Sequence, residues 1–246
     1  MLDLDADLAD AFDPRSRMVV RQVATAGLIE VPVGSDCAEA SSAGSAGLGM
    51  LLVDGLIALE VQVGDRTATE LLGPGDLLQP QPSSTVDHLL ERQVTRRALT
   101  SCRVAILDGE FVDRMRPWPQ IILALLRRSD QRAVQLNVQR AITSHPSLEV
   151  RLALLLWHLA ARWGRVESGG VRLELPLTHA LLGHLVGAER PSVSRSLARL
   201  AAQDLVCGGA RDWHLAGSAH SCMNALMPRS VPSLHGDVDV ETRSSA

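Results

Sequence analysis

Arg190, Ser192, Ser194 and Arg195 crowd one segment, Arg190-Pro191-Ser192-Val193-Ser194-Arg195-Ser196-Leu197. Hydroxyls and guanidiniums at this spacing are donors suited to phosphate oxygens and to guanine edges. A guanidinium can donate two parallel hydrogen bonds to guanine O6 and N7, worth about 1–3 kcal/mol of base discrimination. That chemistry requires the donors on one outward helix face and an apolar face behind them. Val193, Leu197 and Leu200 recur at 4- and 3-residue steps, which predicts a helix over Ser192–Ala202 with those residues inward. Ser192, Ser194, Arg195 and Arg199 then stay outward.

A second helix must position the first. Thr178 is a good N-cap for a helix over His179–Val186, and Gly187 suits its C-terminal end. Two short helices around a Gly-containing turn form a helix-turn-helix. A recognition helix enters the major groove N-terminus first, which aims Arg190, Ser192, Ser194 and Arg195 at bases. Thr178 and Ser192 sit at helix N-termini, where hydroxyls and free N–H groups suit phosphate. His179 opens the leading helix and Arg199 lies a turn beyond Arg195, so both join the candidate DNA-binding set. Leu205-Val206, Gly208-Gly209 and Trp213-His214-Leu215 read as a two-stranded wing, with Arg172–Leu175 pairing on its other side.

Upstream, the period is that of helices back to Asp108. Asp108-Gly109-Glu110-Phe111 starts a short helix that ends before Pro117. From Trp118 to about Ile142 no Gly or Pro follows Pro119, so a long helix is expected. Trp118, Ile122, Leu126, Ser129, Ala133 and Leu136 form a narrow apolar stripe, suited to packing on a second copy of the helix or on a core. Arg127, Arg128 and Arg132 lie opposite. Glu149–Trp163 is apolar almost all round and reads as a buried helix, with Trp157 and Trp163 as core anchors.

The front of the chain reads as antiparallel β. Leu48–Val53 and Leu56–Val63 flank Asp54-Gly55, a hairpin signal. Gly64-Asp65 separates the second run from Arg66–Leu72, and Gly73-Pro74-Gly75-Asp76 makes a tight corner. Further strands are expected near Arg96–Thr100 and Arg103–Leu107. Ser35–Gly47 reads as a surface loop, and 79–93 shows no period. The fold class expected is α+β: an N-terminal antiparallel β-roll over 1–116, a long dimerisation helix over 117–143, a winged helix-turn-helix over 144–216, and a disordered tail over 217–246.

Charge follows the same division. The formal net charge of −4 splits into −8 over 1–116, +2 over 117–139, +3 over 140–214 and −1 over the tail. Only the back half suits a polyanion. All 24 basic residues are Arg, which points to a GC-rich coding bias. Apolar runs are too short for a membrane span, and the acidic N-terminus is wrong for a secretory leader, so a cytoplasmic protein without membrane contact is expected. Cys37, Cys102, Cys207 and Cys222 are dispersed, so zinc or iron–sulfur spacing is missing.

Residues 178–197, from Thr178-His179-Ala180 to Arg195-Ser196-Leu197, resemble the winged-helix signature of the bacterial CRP/FNR transcription regulators. The likeness runs over roughly 17–215, through Leu71-Leu72-Gly73-Pro74-Gly75-Asp76 and Arg103-Val104-Ala105-Ile106-Leu107-Asp108. It implies a homodimer on two-fold DNA sites. It implies base contacts at Arg190 and Arg195, and phosphate contacts at Thr178 and Ser192. Two departures stand out. Pro191 replaces a base-reading Glu, so the family's best-known half-site is not expected. No Gly-Glu follows the Asp76 corner and no Arg appears before Arg92, so no cAMP site of the usual kind is expected. A nucleotide second messenger or another small-molecule effector stays open, as does RNA polymerase as a partner.

An enzyme is not expected. Residues 1–144 hold a single His, His88, too few for a cupin-like metal site, and His179 and His184 miss the i, i+4 spacing of zincins. Neither cofactor nor metal is implied. The modest +3 of the back half leaves one alternative: a small-molecule-binding or protein-interaction module whose winged helix does not read DNA.

Overall fold

The computed structural model describes residues 5–37, 47–79 and 91–227. Two short helices open the chain, α1 (Ala6–Asp10) and α2 (Pro14–Val23). Seven strands follow: β1 (Gly27–Val31), β2 (Gly49–Asp54), β3 (Ile57–Val63), β4 (Arg66–Leu72), β5 (Leu77–Leu78), β6 (Arg92–Ala98) and β7 (Cys102–Leu107). They form two antiparallel sheets, ordered β1-β7-β2-β5 and β4-β3-β6. Val31, Met50, Leu52, Val104 and Ile106 of the first sheet share one buried cluster with Ile57, Leu72 and Ala98 of the second. This is the expected β-roll.

The Asp54-Gly55 hairpin is not what forms there. β2 pairs with β5 and β7, whereas β3 pairs with β4 and β6. Asp54-Gly55 carries the chain from one sheet to the other. Gly55 takes φ +97° and lies so close to β7 that a Cβ would stand 2.6 Å from Cys102 Sγ. The two-residue hairpin is Gly64-Asp65, where Val63 pairs with Arg66 and Gly64 takes φ +59°. Both dipeptides suit a turn, and only the sheet partition separates them. Of the expected surface loop, Asp36 bridges to Arg97 and Cys37 is buried; 38–46 and 80–90 lie outside the described residues.

The helical half begins with α3 (Gly109–Met115), capped by the Asp108 carboxylate accepting from Phe111 N–H at 2.8 Å. Next come α4 (Pro119–Thr143) and α5 (Leu148–Trp163). The hairpin β8 (Gly164–Glu167) and β9 (Gly170–Leu173) then precedes α6 (His179–Val186), α7 (Arg190–Ala202), β10 (Val206–Gly209), β11 (Asp212–Ala216) and α8 (Ala219–Leu226). The wing sheet is ordered β10-β11-β9-β8. Its fourth strand, β8, has no alternating pattern, and Val166 on it is 87% exposed. The expected disorder from 217 onward gives way, over 219–226, to a helix. Ser218 and Ser221 cap it reciprocally, and Cys222 is buried against the α5 core. The remaining tail residues, 228–246, lie outside the described residues.

Helix α4 grips the roll with charge. Arg132 holds Glu70 of β4 by two bonds, Nε–Oε1 at 2.8 Å and Nη2–Oε2 at 2.7 Å. Arg128 holds Asp5 in the same two-pronged way, at 2.5 and 2.6 Å. These side chains, placed opposite the apolar stripe by sequence, therefore face the roll. Removing one partner of a desolvated pair leaves the other buried and uncompensated. Glu70→Leu alone should cost about 2–4 kcal/mol in urea denaturation, and adding Arg132→Leu should recover part of that loss.

Candidate nucleic-acid interface

The helix-turn-helix rests on local rules visible in its residues. Thr178 Oγ1 accepts from Leu181 N–H at 3.2 Å, capping α6. Gly187 ends that helix in the left-handed region, φ 66° and ψ 48°. Gly183 lets the turn close: a Cβ there would stand 2.4 Å from the Ala188 carbonyl oxygen. Helix α7 starts at Arg190, two residues before the expected Ser192, because Pro191 fits a first turn where its missing N–H costs nothing. Val193, Leu197 and Leu200 are buried as their spacing requires.

Thr178, Arg190, Arg195 and Arg199 are exposed, and His179, Ser192 and Ser194 are half-buried. Arg195 Nη2 donates to Ser192 Oγ at 3.3 Å. Among the described residues, neither Arg190 nor Arg195 pairs with a carboxylate. Ser194 Oγ donates to the Arg190 carbonyl at 3.1 Å and lies 2.8 Å from His179 Nδ1. The direction of the bond between them follows the imidazole tautomer. Two expected DNA contacts thus bond to one another and lock α6 against α7. Arg199 differs from the other arginines of α7, since its Nη1 donates to Glu149 Oε1 at 2.8 Å.

Glu149 was no part of the sequence-based set. Its Oε1 also accepts from Ser196 at 3.0 Å, and its Oε2 from Ser147 at 3.1 Å. Its own backbone N–H, then Arg199, Ser196 and Ser147, outweigh burial and hold its carboxyl down at about 2. The residue joins the start of α5 to the recognition helix. Ser147, the N-cap of α5, was the available signal, but the Glu149–Arg199 bond that reaches α7 spans 50 residues of sequence. Arg211 was missed as well. It sits exposed in the two-residue tip between Gly209 and Asp212, at the end of the wing. Arg172 clamps Asp212 beneath it with two bonds of 2.9 Å.

The fold and site define a winged helix-turn-helix joined through a long helix to an antiparallel β-roll. Residues 150–215 match the model of the Crp-like helix-turn-helix domain. A CRP-like cAMP-activated global transcriptional regulator of Mycobacterium tuberculosis is 28% identical over 148 residues, covering 56% of this chain and 61% of that protein. The chain spans about three-fifths of the length of the curated relatives it matches. Among solved structures, a cyclic nucleotide-binding domain containing protein from Listeria monocytogenes is similar with TM-score 0.65 and 11% identity. It covers 82% of this chain and 97% of its own. The c-di-GMP responsive global regulator CLP of Xanthomonas campestris gives TM-score 0.57 and 18% identity, over 82% and 100%. The chain carries a Crp-like helix-turn-helix domain over 150–215, and its whole fold is similar to that of the Listeria protein.

The depressed Glu149 carboxyl has a pH signature. A group whose folded value lies below its unfolded 4.5 stabilises fully above 4.5, and that contribution is lost as pH falls toward 2. In urea denaturation, wild type should exceed Glu149→Gln most above pH 4.5, and the gap should close toward pH 2. A gap that stays constant with pH contradicts the assignment.

Proposed function

We propose that this chain is a homodimeric, sequence-specific DNA-binding transcription regulator and not an enzyme. The carrying observation is the pair Arg190 and Arg195, exposed at the start of α7 and bonded to no carboxylate among the described residues. Thr178, Ser192 and the wing-tip Arg211 supply phosphate donors around them. His179 and Ser194 set the angle between the two helices. Arg199 is 70% exposed despite its bond to Glu149, so it can also meet phosphate. Pro191 offers no donor, so the half-site is read by arginine alone at this edge. In this reading 1–116 senses, 117–143 pairs the subunits and 144–216 binds DNA. The work is cytoplasmic, with RNA polymerase as the protein partner.

Dimerisation rests on α4. Leu123, Leu126, Val134 and Val138 are 53%, 50%, 59% and 40% exposed along one side of it. Leu126 and Ala133 belong to the expected stripe and are exposed, while Ile122, Ser129 and Leu136 are half-buried. A second copy packed two-fold about this helix covers that surface. Leu126→Glu with Val134→Glu should give monomers in sedimentation equilibrium, with the roll still folded by circular dichroism.

The effector reading rests on Leu77–His88, which has neither Gly-Glu nor Arg. Positions 80–88 lie outside the described residues. Selection from a random DNA pool should return a two-fold motif, and cAMP should leave the affinity unchanged. Arg190→Ala with Arg195→Ala should abolish the sequence preference, whereas Arg211→Ala should weaken binding to all sequences and flatten its salt dependence. Full retention of specificity by the double variant overturns the reading.

A further inference from the structure

The roll's two sheets share a buried apolar cluster, and a cavity of about 500 Å³ opens where three parts of the chain meet. One wall is Glu70, Leu71 and the Pro74-Gly75-Asp76 corner, a second is α4 from Arg128 to Gln139, and the third is α5 from Leu155 to Trp163. Ligand sites favour such seams between domains, and this volume falls within the usual range for small molecules.

The polar groups facing it are unevenly partnered. Arg132 is committed to Glu70 and to the Leu77 carbonyl oxygen. Arg162 donates only Nη2, to Asp76 Oδ2 at 2.7 Å, and its Nε and Nη1 have no hydrogen bond among the described residues. His158, one turn earlier on α5, lines the same cavity and makes no hydrogen bond among the described residues. Burial, then the Arg162 charge, pushes the imidazole below its ordinary value. Beside these donors, Leu71, Leu136, Leu155 and Leu159 supply apolar wall. The Arg162 guanidinium lies 4.5 Å over the Trp163 ring, and Gly73 lets that indole close the seam, since a Cβ there would meet it at 2.8 Å.

We infer that this seam is a binding site for a small organic anion, with its acidic head on Arg162 and His158 and a flat apolar body against the leucines. The guanidinium supplies the charge, because it stays protonated at every working pH. The imidazole adds a directional donor. A body that fills the leucine wall contacts the roll and α5 at once, so occupancy bears on how the helix-turn-helix is held to the roll.

The test uses the full chain and 8-anilinonaphthalene-1-sulfonate, an aromatic anion, alongside its uncharged parent N-phenyl-1-naphthylamine. Fluorescence titration should show one sulfonate bound per chain, about tenfold or more tighter than the neutral dye. Arg162→Gln should weaken the sulfonate by about tenfold and leave the neutral dye unchanged. Ala161→Trp and Gln135→Trp fill the seam from opposite exposed walls and should each abolish binding of both dyes while the melting temperature holds. Sulfonate binding that survives both tryptophan variants places the dye elsewhere and overturns the site. Equal affinity for the two dyes, or indifference to Arg162→Gln, overturns its assignment to anions. None of these readouts involves DNA, so the site stands or falls apart from the regulatory reading.

Discussion

Helix α4 must hold the roll and the DNA-binding half in one body, and it has little apolar surface with which to do so. Of its 25 residues only Ile121, Leu125 and Ile142 are buried. The grip comes from Arg128 on Asp5 and Arg132 on Glu70, helped by Gln139 donating to the Thr69 carbonyl at 2.7 Å. Two-pronged guanidinium–carboxylate pairs fix orientation as well as distance, which a single ammonium does not. In a chain without lysine, that geometry is available at every cationic position. At the α5 end the pairing is single: Arg162 Nη2 donates to the Asp76 carboxylate that also accepts from the Gly73 N–H at 2.8 Å.

This arrangement sorts the arginines by their partners. Those with two bonds to a partly buried carboxylate, Arg128 and Arg132, are structural pins at the seam, whereas Arg162 gives Asp76 one Nη and leaves its Nε and other Nη without a hydrogen bond among the described residues. Arg172 and Arg199 are intermediate, since they brace the wing and the recognition helix while staying open to solvent. Arg190, Arg195 and Arg211 have no carboxylate partner among the described residues. An exposed charge with no carboxylate partner keeps most of its hydration, and these three stand together on α7 and the wing tip of the Crp-like domain. The acidic charge of residues 1–116 also disfavours docking of a polyanion on the roll.

Much of the helical half was legible because its signals are local. Thr178, Gly187 and the Val193-Leu197-Leu200 steps set the helix-turn-helix to within two residues, and the wing followed from Gly208-Gly209 and Trp213. What escaped depends on partners distant in sequence. Asp54-Gly55 and Gly64-Asp65 carry the same turn chemistry, and strand pairing alone decides which one closes a hairpin. Sequence places Arg128 and Arg132 only opposite the apolar stripe, because their partners Asp5 and Glu70 lie 123 and 62 residues away. Val166 gives β8 no alternating burial to read, and α8 is held by the packing of Cys222 on α5 rather than by any period of its own.

The same distinction applies to His179 and Ser194, whose contact with each other is not visible from spacing. Both are polar residues on the outward half of their helices, and by spacing alone they match donors for DNA. In three dimensions α6 crosses α7 where these two meet, and each satisfies the other. Their bond fixes the crossing and so sets where Arg190 and Arg195 stand. Glu149 does the equivalent task one turn further along, through Ser196 and Arg199. Residues that read a base edge must be placed to within a fraction of an ångström, and flexible arginines do not supply that precision themselves. It comes from the serines, the histidine and the carboxylate behind them, which join α6, α7 and the start of α5 through side-chain bonds.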